Sequence, residues 1–258
     1  MRQRRSIPRG LRRGITLRMV APNAVTAMAL CCGLTAVRYG VDQRWELAVV
    51  LVLLAGVLDG LDGRIARLLR GESRFGAELD SLSDSIAFGV APALILYLWS
   101  LHALPKIGWV FALAHALSCA LRLARFNANI DADEQPHKSA GFLTGVPAPA
   151  GAGLTFVPLY LWLATDQSIF REWYVVVPWT AFIAFLMISS IATYSWSALR
   201  LRKRIRLEAI AFAGLLVTLL ITAPWLTLPF LCLGYLATIP FGMMSYAKVR
   251  RQQAVATP

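Results

Sequence analysis

The sequence predicts an all-α protein: a polytopic membrane helix bundle with about eight transmembrane helices and both termini in the cytoplasm. Three observations lead to this prediction, namely the apolar composition, the spacing of the apolar runs and the distribution of basic residues. Of 258 residues, 57% are hydrophobic and only 16% are charged, whereas soluble domains carry about 25% charged residues. A soluble globule of this size has too little interior for so much apolar surface, so the composition indicates an integral membrane protein.

Eight apolar runs are long enough to cross a bilayer, which takes about 20 apolar residues per helix. Pro224 separates the last two runs, because a proline inside a helix removes a backbone hydrogen bond. No segment shows the alternating pattern of a membrane β-barrel. The predicted spans cover residues 20–39, 45–69, 77–101, 106–127, 143–165, 172–194, 207–223 and 225–247.

The basic residues test this count independently. With a cytoplasmic N-terminus, 22 of the 26 lysines and arginines fall in cytoplasmic segments. Such an excess on one side agrees with the positive-inside rule, and an odd number of spans would abolish it. The chain therefore divides into a basic cytoplasmic segment (residues 1–19), a single transmembrane domain (20–247) and a cytoplasmic tail (248–258).

The net charge of +12 does not indicate a nucleic-acid partner. The basic residues form short clusters between apolar runs, and no soluble segment is long enough for a groove-reading module. Membrane lipids are the partners expected from the composition. The four cysteines lack CxxC spacing with histidine partners, so zinc and redox roles are not indicated. His102, His115 and His137 also lack ligand spacing, and we interpret them as structural.

Four aspartates are the strongest candidates for chemistry, because acidic side chains in apolar spans are costly and mark functional sites. Asp59 and Asp62 are three positions apart, and Asp80 and Asp84 are four apart, so each pair lies on one face of its helix. A short turn joins the two helices, which should pack antiparallel and bring the four carboxylates together near the cytoplasm. Two divalent cations would neutralise such a cluster, and oxygen ligands suit Mg²⁺ or Mn²⁺.

Less specific explanations exist for these residues. An acidic residue near the end of a span can extend to the interface or pair with Arg64 or Arg67. Gly60, Gly63 and Gly76 can serve helix packing, as small residues do in membranes. Four carboxylates at helical spacing with interleaved glycines nevertheless favour a metal site over these alternatives.

The same stretch forms a spaced motif that resembles a known family. It reads Asp59-x2-Asp62-Gly63-x2-Ala66-Arg67-x8-Gly76-x3-Asp80-x3-Asp84, which matches the motif of the CDP-alcohol phosphotransferases without a departure. The resemblance implies a membrane enzyme that transfers a phosphatidyl or similar group from a CDP-linked donor to an alcohol and releases CMP. It also implies a homodimer.

Other segments resemble one branch of that family, the bacterial and archaeal phosphatidylserine synthases. They are residues 21–26 with 32–34, 75–84 with 88–93, 121–127, 145–150, and 185–189 with 194–195. One departure is Gly145-Val146-Pro147, where Gly-Leu-Pro is common. The resemblance implies CDP-diacylglycerol as donor, L-serine as acceptor, and a place in the cell (inner) membrane with the active site facing the cytoplasm.

The resemblance also implies roles for individual residues. Asp59 and Asp80 would bind both cations, Asp62 one of them and Asp84 the other, and Asp84 would also be the general base. A serine hydroxyl is a poor nucleophile at neutral pH, so a base within hydrogen-bond reach suits this chemistry. The CDP part of the donor would be bound by Asn23, Thr26, Gly63, Arg67 and Ser73.

The acceptor carboxylate needs a cationic partner, and Arg122 and Arg125, with Asn127 beside them, are the candidates for serine binding. Topology alone could explain both arginines as well as Arg67. Asn23 and Thr26 could equally be a polar helix start.

Two further functions remain open at this stage. A sister enzyme would use glycerol 3-phosphate, inositol phosphate or choline as acceptor, and the shared motif does not distinguish these. Intramembrane acids can also mark an ion-coupled transporter. A transporter, however, tends to place its binding site at the midplane of repeated, broken helices, whereas these aspartates cluster at one cytoplasmic turn.

Overall fold

A computed structural model describes residues 17–71, 73–128, 142–194 and 206–256. These residues are almost entirely helical. The first half contains α1 (Leu17–Val41), α2 (Trp45–Leu69), α3 (Arg74–Asp84), a π-helical segment (Ser85–Val90), α4 (Ala91–Trp99) and α5 (Pro105–Ala128). The second half contains β1 (Phe142–Thr144), α6 (Ala148–Thr155), α7 (Val157–Thr165), α8 (Trp173–Ile188), β2 (Ala192–Tyr194), α9 (Arg206–Thr222) and α10 (Pro224–Ala256).

Five helical stretches are long and apolar enough to cross a membrane. They are Val20–Val41, Arg74–Trp99, Pro105–Ala128, Ala148–Thr165 and Pro224–Ser245. The helix α2 has the length of a span but carries the charges of the motif, and α8 and α9 are apolar but shorter. The prediction of an all-α membrane bundle is thereby confirmed, while the number of eight spans stays a prediction.

The bounds of two predicted spans are wrong at one end each. Residues 143–147 and 189–194 are not helical, and β1 pairs with β2 in an antiparallel ribbon in which Leu143 lies opposite Thr193. Gly145, which follows β1, has a φ of +72°, a conformation that glycine adopts without steric cost. Short apolar runs do not distinguish extended from helical backbone, which is why the pattern extended both helices too far.

The π-helical segment lies in direct contact with α1 and α5. A Cβ on Gly33 of α1 would lie 2.7 Å from the Cα of Ala87, and a Cβ on Gly89 would lie 3.0 Å from the Cβ of Cys119 on α5. The two glycines therefore allow the backbones to approach closely, as small residues do between membrane helices. This packing supports the helix that carries Asp84.

The core is built mainly from α4, α6, α7 and α8. Its largest fully buried side chains include Trp99, Phe156, Tyr160, Ile183 and Met187. In contrast, none of the described side chains of α9 is buried. Large apolar side chains exposed along α1, α5, α9 and α10 are the surface expected to face lipid.

Candidate active site

Three aspartates from α2 and α3 form a compact cluster. One carboxylate oxygen from each of Asp59, Asp62 and Asp80 lies within 4.8 Å of the others. Asp62 is buried, whereas Asp59 and Asp80 are half-buried and remain partly accessible. The sequence placed these residues on two helix faces, and the tertiary structure brings the faces together.

Asp84 lies beside this cluster, close enough to Asp59 for the two side chains to interact. Two carboxylates at such close range repel each other unless a proton or a cation lies between them. The neighbouring oxygens of Asp62 and Asp80 supply further hard ligands of the kind that Mg²⁺ and Mn²⁺ prefer. The donor set and its spacing therefore fit a divalent-cation site.

A tight turn between α2 and α3 makes this convergence possible. Arg70 ends α2 in the left-handed conformation, with a φ of 51°. Ser73 then begins α3, since its Oγ accepts a hydrogen bond from the Gly76 N–H at 3.0 Å. This is the usual way in which a serine satisfies an unpaired donor at a helix start. The reversal brings the two aspartate pairs to the same end of the bundle.

Two residues of α1 close one side of the cluster. Asn23 Oδ1 lies 2.9 Å from the position that a Cβ on Gly76 would occupy, so glycine at 76 lets Asn23 approach α3. The Thr26 hydroxyl donates to Asp62 Oδ2 at 2.7 Å, and its backbone carbonyl accepts from Ser83 Oγ at 3.2 Å. Thr26 therefore orients the Asp62 carboxylate and also ties α1 to α3.

The opposite side of the cluster is open. Among the described residues, no heavy atom outside the local backbone of α2 lies within 4 Å of the position of a Cβ on Gly60 or Gly63, so close packing against another described helix does not explain these glycines. Arg67 is exposed on the same helix, and its Nε donates to the Gly63 carbonyl at 3.0 Å. A bulky ligand could approach the α2 backbone here, next to a cationic side chain.

The three residues considered for serine binding have different environments. Arg125 donates to the carbonyls of Ile188 and Ser189 at 3.0 and 3.2 Å, which fixes the C-terminal end of α8. Asn127 Nδ2 lies 2.9 Å from Ser81 Oγ. These hydrogen bonds connect α5 to the end of α8 and to α3, so both residues have a structural role.

Arg122 differs from its two neighbours. Its Nε is buried without a hydrogen-bond partner among the described residues, and its charge interacts with that of Asp84. A buried guanidinium donor without a partner is costly. Of the three candidates, Arg122 is the one with a donor left for a ligand near Asp84.

Sequence reasoning missed some residues that support the site. It assigned no role to Ser81 and Ser83, although both lie between Asp80 and Asp84 on α3, and this proximity in sequence was the available signal. It interpreted His115 as structural, yet this residue contacts the segment directly after Asp84. No local pattern pointed to that contact, because it joins residues 27 positions apart.

Comparison with known proteins identifies what the chain is similar to. Residues 19–239 match the family described as CDP-alcohol phosphatidyltransferase. A CDP-diacylglycerol–serine O-phosphatidyltransferase of Mycobacterium tuberculosis is 36% identical over 238 residues, which are 92% of this chain and 82% of that protein. Proteins of the same name from Helicobacter pylori and Methanocaldococcus jannaschii are 39% and 43% identical over 140 and 103 residues. These matches cover 54% and 40% of this chain, and 57% and 45% of the respective relatives.

Proposed function

The chain belongs to the CDP-alcohol phosphatidyltransferase family, and from this premise we propose that it transfers the phosphatidyl group of CDP-diacylglycerol to L-serine. The products are phosphatidylserine and CMP, so the enzyme is a transferase of phospholipid biosynthesis. The observation that carries the choice of acceptor is the 36% identity, over 92% of the chain, to a relative named as a CDP-diacylglycerol–serine O-phosphatidyltransferase. That similarity includes the helix of Arg122 as well as the aspartate motif.

The four aspartates would hold two divalent cations, Mg²⁺ or Mn²⁺. On the family resemblance, Asp59 and Asp80 would bind both, Asp62 one and Asp84 the other; the convergence of Asp59, Asp62 and Asp80 supports a cation site here. Bound cations supply Lewis-acid stabilisation of the charge on the phosphoryl oxygens. Thr26 holds the Asp62 carboxylate in place for this purpose.

Asp84 is the proposed general base. It would take the proton from the serine hydroxyl while the serine oxygen forms a bond to the phosphorus that carries the diacylglycerol. The bond from that phosphorus to the bridging oxygen breaks, and CMP leaves with the electron pair. A base in contact with the nucleophile is needed because a serine hydroxyl is weakly nucleophilic at neutral pH.

The nucleotide of the donor would lie on the open side of the cluster. The unobstructed backbone at Gly60 and Gly63 leaves space for it, and Arg67 offers a planar donor group to phosphate oxygens. Asn23 and Thr26 on the closed side, with Ser73 at the start of α3, would supply polar groups to the rest of the nucleotide. The acyl chains would extend into the surrounding lipid.

We expect Arg122→Gln to weaken serine binding selectively. The substitution removes the cation that would pair with the serine carboxylate, and a charge-assisted hydrogen bond contributes about 1.5–3 kcal/mol. The KM for serine should therefore rise about 10-fold to 100-fold, while the KM for CDP-diacylglycerol stays within about threefold. Steady-state kinetics of CMP release check this.

The matched control is Arg38→Gln, which removes an exposed arginine from the far end of α1. It should leave both KM values unchanged. A serine KM for Arg122→Gln equal to that of the parent would assign the acceptor carboxylate to another residue.

The cluster is proposed to face the cytoplasm of a multi-pass inner-membrane protein with eight spans. The excess of basic residues around it supports this orientation. In a cysteine-free variant, single cysteines at positions 42, 104 and 168 should react with an impermeant label in intact cells. Cysteines at 136 and 203, which lie outside the described residues, should react only after permeabilisation. Labelling of position 136 from outside would contradict the orientation.

The homodimer stays a prediction from the family resemblance.

The acceptor is tested directly with the purified protein. CDP-diacylglycerol is incubated separately with serine, glycerol 3-phosphate, inositol phosphate and choline, and CMP is measured. Release with serine alone is the expected result. Release with another of these alcohols, and not with serine, would make the protein one of the sister enzymes.

A further inference from the structure

The chain enters a π-helix immediately after Asp84. The segment Ser85–Val90 follows α3 without a break, and its hydrogen bonds skip one residue more than those of an α-helix. Such segments are rare and frequently occur at functional sites. The wider turn changes the direction in which later residues point relative to Asp80 and Asp84. The placement of Asp84 against neighbouring helices therefore depends on this segment keeping its register.

One backbone carbonyl in this segment has a hydrogen-bond partner from outside the helix. In an α-helix the N–H of residue 92 would donate to the Phe88 carbonyl, but residue 92 is proline and has no N–H. His115 of α5 contacts this carbonyl, with its Nε2 3.2 Å from the Phe88 oxygen. Phe88 is 1% exposed and His115 is 0% exposed, so water does not compete for this contact.

The second ring nitrogen of His115 is also engaged. Its Nδ1 lies 3.2 Å from Thr155 Oγ1 at the end of α6, and Thr155 is fully buried. Because a carbonyl oxygen only accepts, Nε2 must donate to Phe88, and Nδ1 of the neutral ring then accepts from the Thr155 hydroxyl. The imidazole therefore joins α5, α6 and the π-helical segment in one hydrogen-bond orientation.

The same face of α5 continues from His115 to the site. Cys119 and Arg122 follow at four and seven positions, which is the spacing of one helix face. Cys119 packs against Gly89 of the π-helical segment, and the charge of Arg122 interacts with that of Asp84. The contact made by His115 is thus one of those that join α5 to the helix of Asp84.

We propose that His115 is a positioning residue for the transfer reaction: by holding the Phe88 carbonyl, it keeps Asp84 and Arg122 in the arrangement needed to activate and bind the acceptor. The inference rests on the proposed function for the identity of that acceptor. His115 itself touches neither the aspartate cluster nor the open side where the donor would lie.

The test compares His115→Leu with His115→Gln in the full chain in detergent. Leucine fills the space without a donor, whereas the glutamine amide can donate to the Phe88 carbonyl. We expect His115→Leu to lower kcat about 10-fold to 100-fold, since small displacements of reacting groups have effects of this size. The KM for serine should rise with it, while affinities for CDP-diacylglycerol and Mn²⁺ stay within about threefold. His115→Gln should recover most of the lost kcat.

Thr155→Val provides a milder variant in case leucine at 115 prevents folding. It removes only the hydroxyl that donates a hydrogen bond to Nδ1. The substitution should lower kcat about 3-fold to 10-fold without a change in the affinity for CDP-diacylglycerol. Equal losses of kcat in the leucine and glutamine variants would overturn the proposal. So would unchanged kinetics per folded molecule in the variants that fold.

Hydrogen exchange of the ligand-free protein separates this proposal from the proposed function. Amides in residues 80–95 should exchange faster in His115→Leu than in the parent, and His115→Gln should resemble the parent. A parent protein that releases no CMP with serine would refute the proposed function. In that case the exchange result decides the inference: faster exchange confined to residues 80–95 supports it, and unchanged exchange overturns it.

Discussion

Removal of divalent cations with EDTA should abolish CMP release, and added Mg²⁺ or Mn²⁺ should restore it. The expectation follows from the geometry of the cluster, where carboxylate oxygens of three aspartates lie within 4.8 Å of one another. Without cations these groups repel one another, and no Lewis acid stabilises the charge that develops on the phosphoryl oxygens. Turnover that persists in chelator would exclude the two-cation mechanism.

Asp59→Asn tests the dependence on divalent cations at a single proposed ligand. Asp59 is expected to bind both cations, and its side chain interacts with that of Asp84. The amide introduced at 59 can still hydrogen-bond to Asp84, so the fold should persist while one ligand charge is lost. Substituting a residue that hydrogen-bonds to a metal ligand typically lowers activity or metal affinity about 10-fold to 100-fold. Because Asp59 is a proposed ligand itself, the losses of rate and of Mn²⁺ affinity should be larger than this.

Glu78→Gln is the matched control for this variant. Glu78 lies on α3 between the two aspartate pairs in sequence, but its side chain is exposed. The substitution removes one negative charge near the site without removing a proposed ligand. Mn²⁺ affinity, measured by titration of the purified protein, should therefore fall in Asp59→Asn alone. Equal losses of Mn²⁺ affinity in the two variants would mean that Asp59 acts only through its negative charge near the site and not as a ligand.

Asp84→Asn should reduce serine-dependent turnover by about 10² to 10⁴-fold, the usual contribution of general-base catalysis. The amide keeps an oxygen that can bind a cation, but it cannot accept the proton of the serine hydroxyl. Binding of CDP-diacylglycerol should survive, because the donor is expected to lie against α2, the start of α3 and α1. The loss should therefore fall on kcat.

The measurements are donor affinity and serine-dependent CMP release at saturating Mn²⁺. Near-normal release would remove the base role from Asp84. A loss of donor affinity in parallel with the rate would leave Asp84 as a metal ligand only, and the proton acceptor would have to be another group.

Comparing the sequence with the structure shows which features are local. The sequence by itself determined the helical membrane architecture, because apolar length and the distribution of basic residues are properties of each segment alone. It also determined that Asp59 with Asp62 and Asp80 with Asp84 share helix faces, since helical periodicity depends only on spacing. The spaced motif gave the family in the same way.

Tertiary structure decided the features that depend on distant residues. The ends of α6 and α8 depend on the pairing of β1 with β2, which joins segments about 50 positions apart. Arg122 and Arg125 are indistinguishable as basic residues on one helix end, yet the C-terminal carbonyls of α8 engage Arg125, while the Nε of Arg122 is buried beside Asp84.

The hydrogen bonds of His115 to Phe88 and Thr155 also depend on tertiary packing. Backbone hydrogen bonding within a segment sets the periodicity of its helix, so the spacing of residues in the sequence predicts which of them share a helix face. Which side chains meet across helices depends instead on how the helices pack, and small residues such as Gly33 and Gly89 set that packing through contacts far apart in the chain.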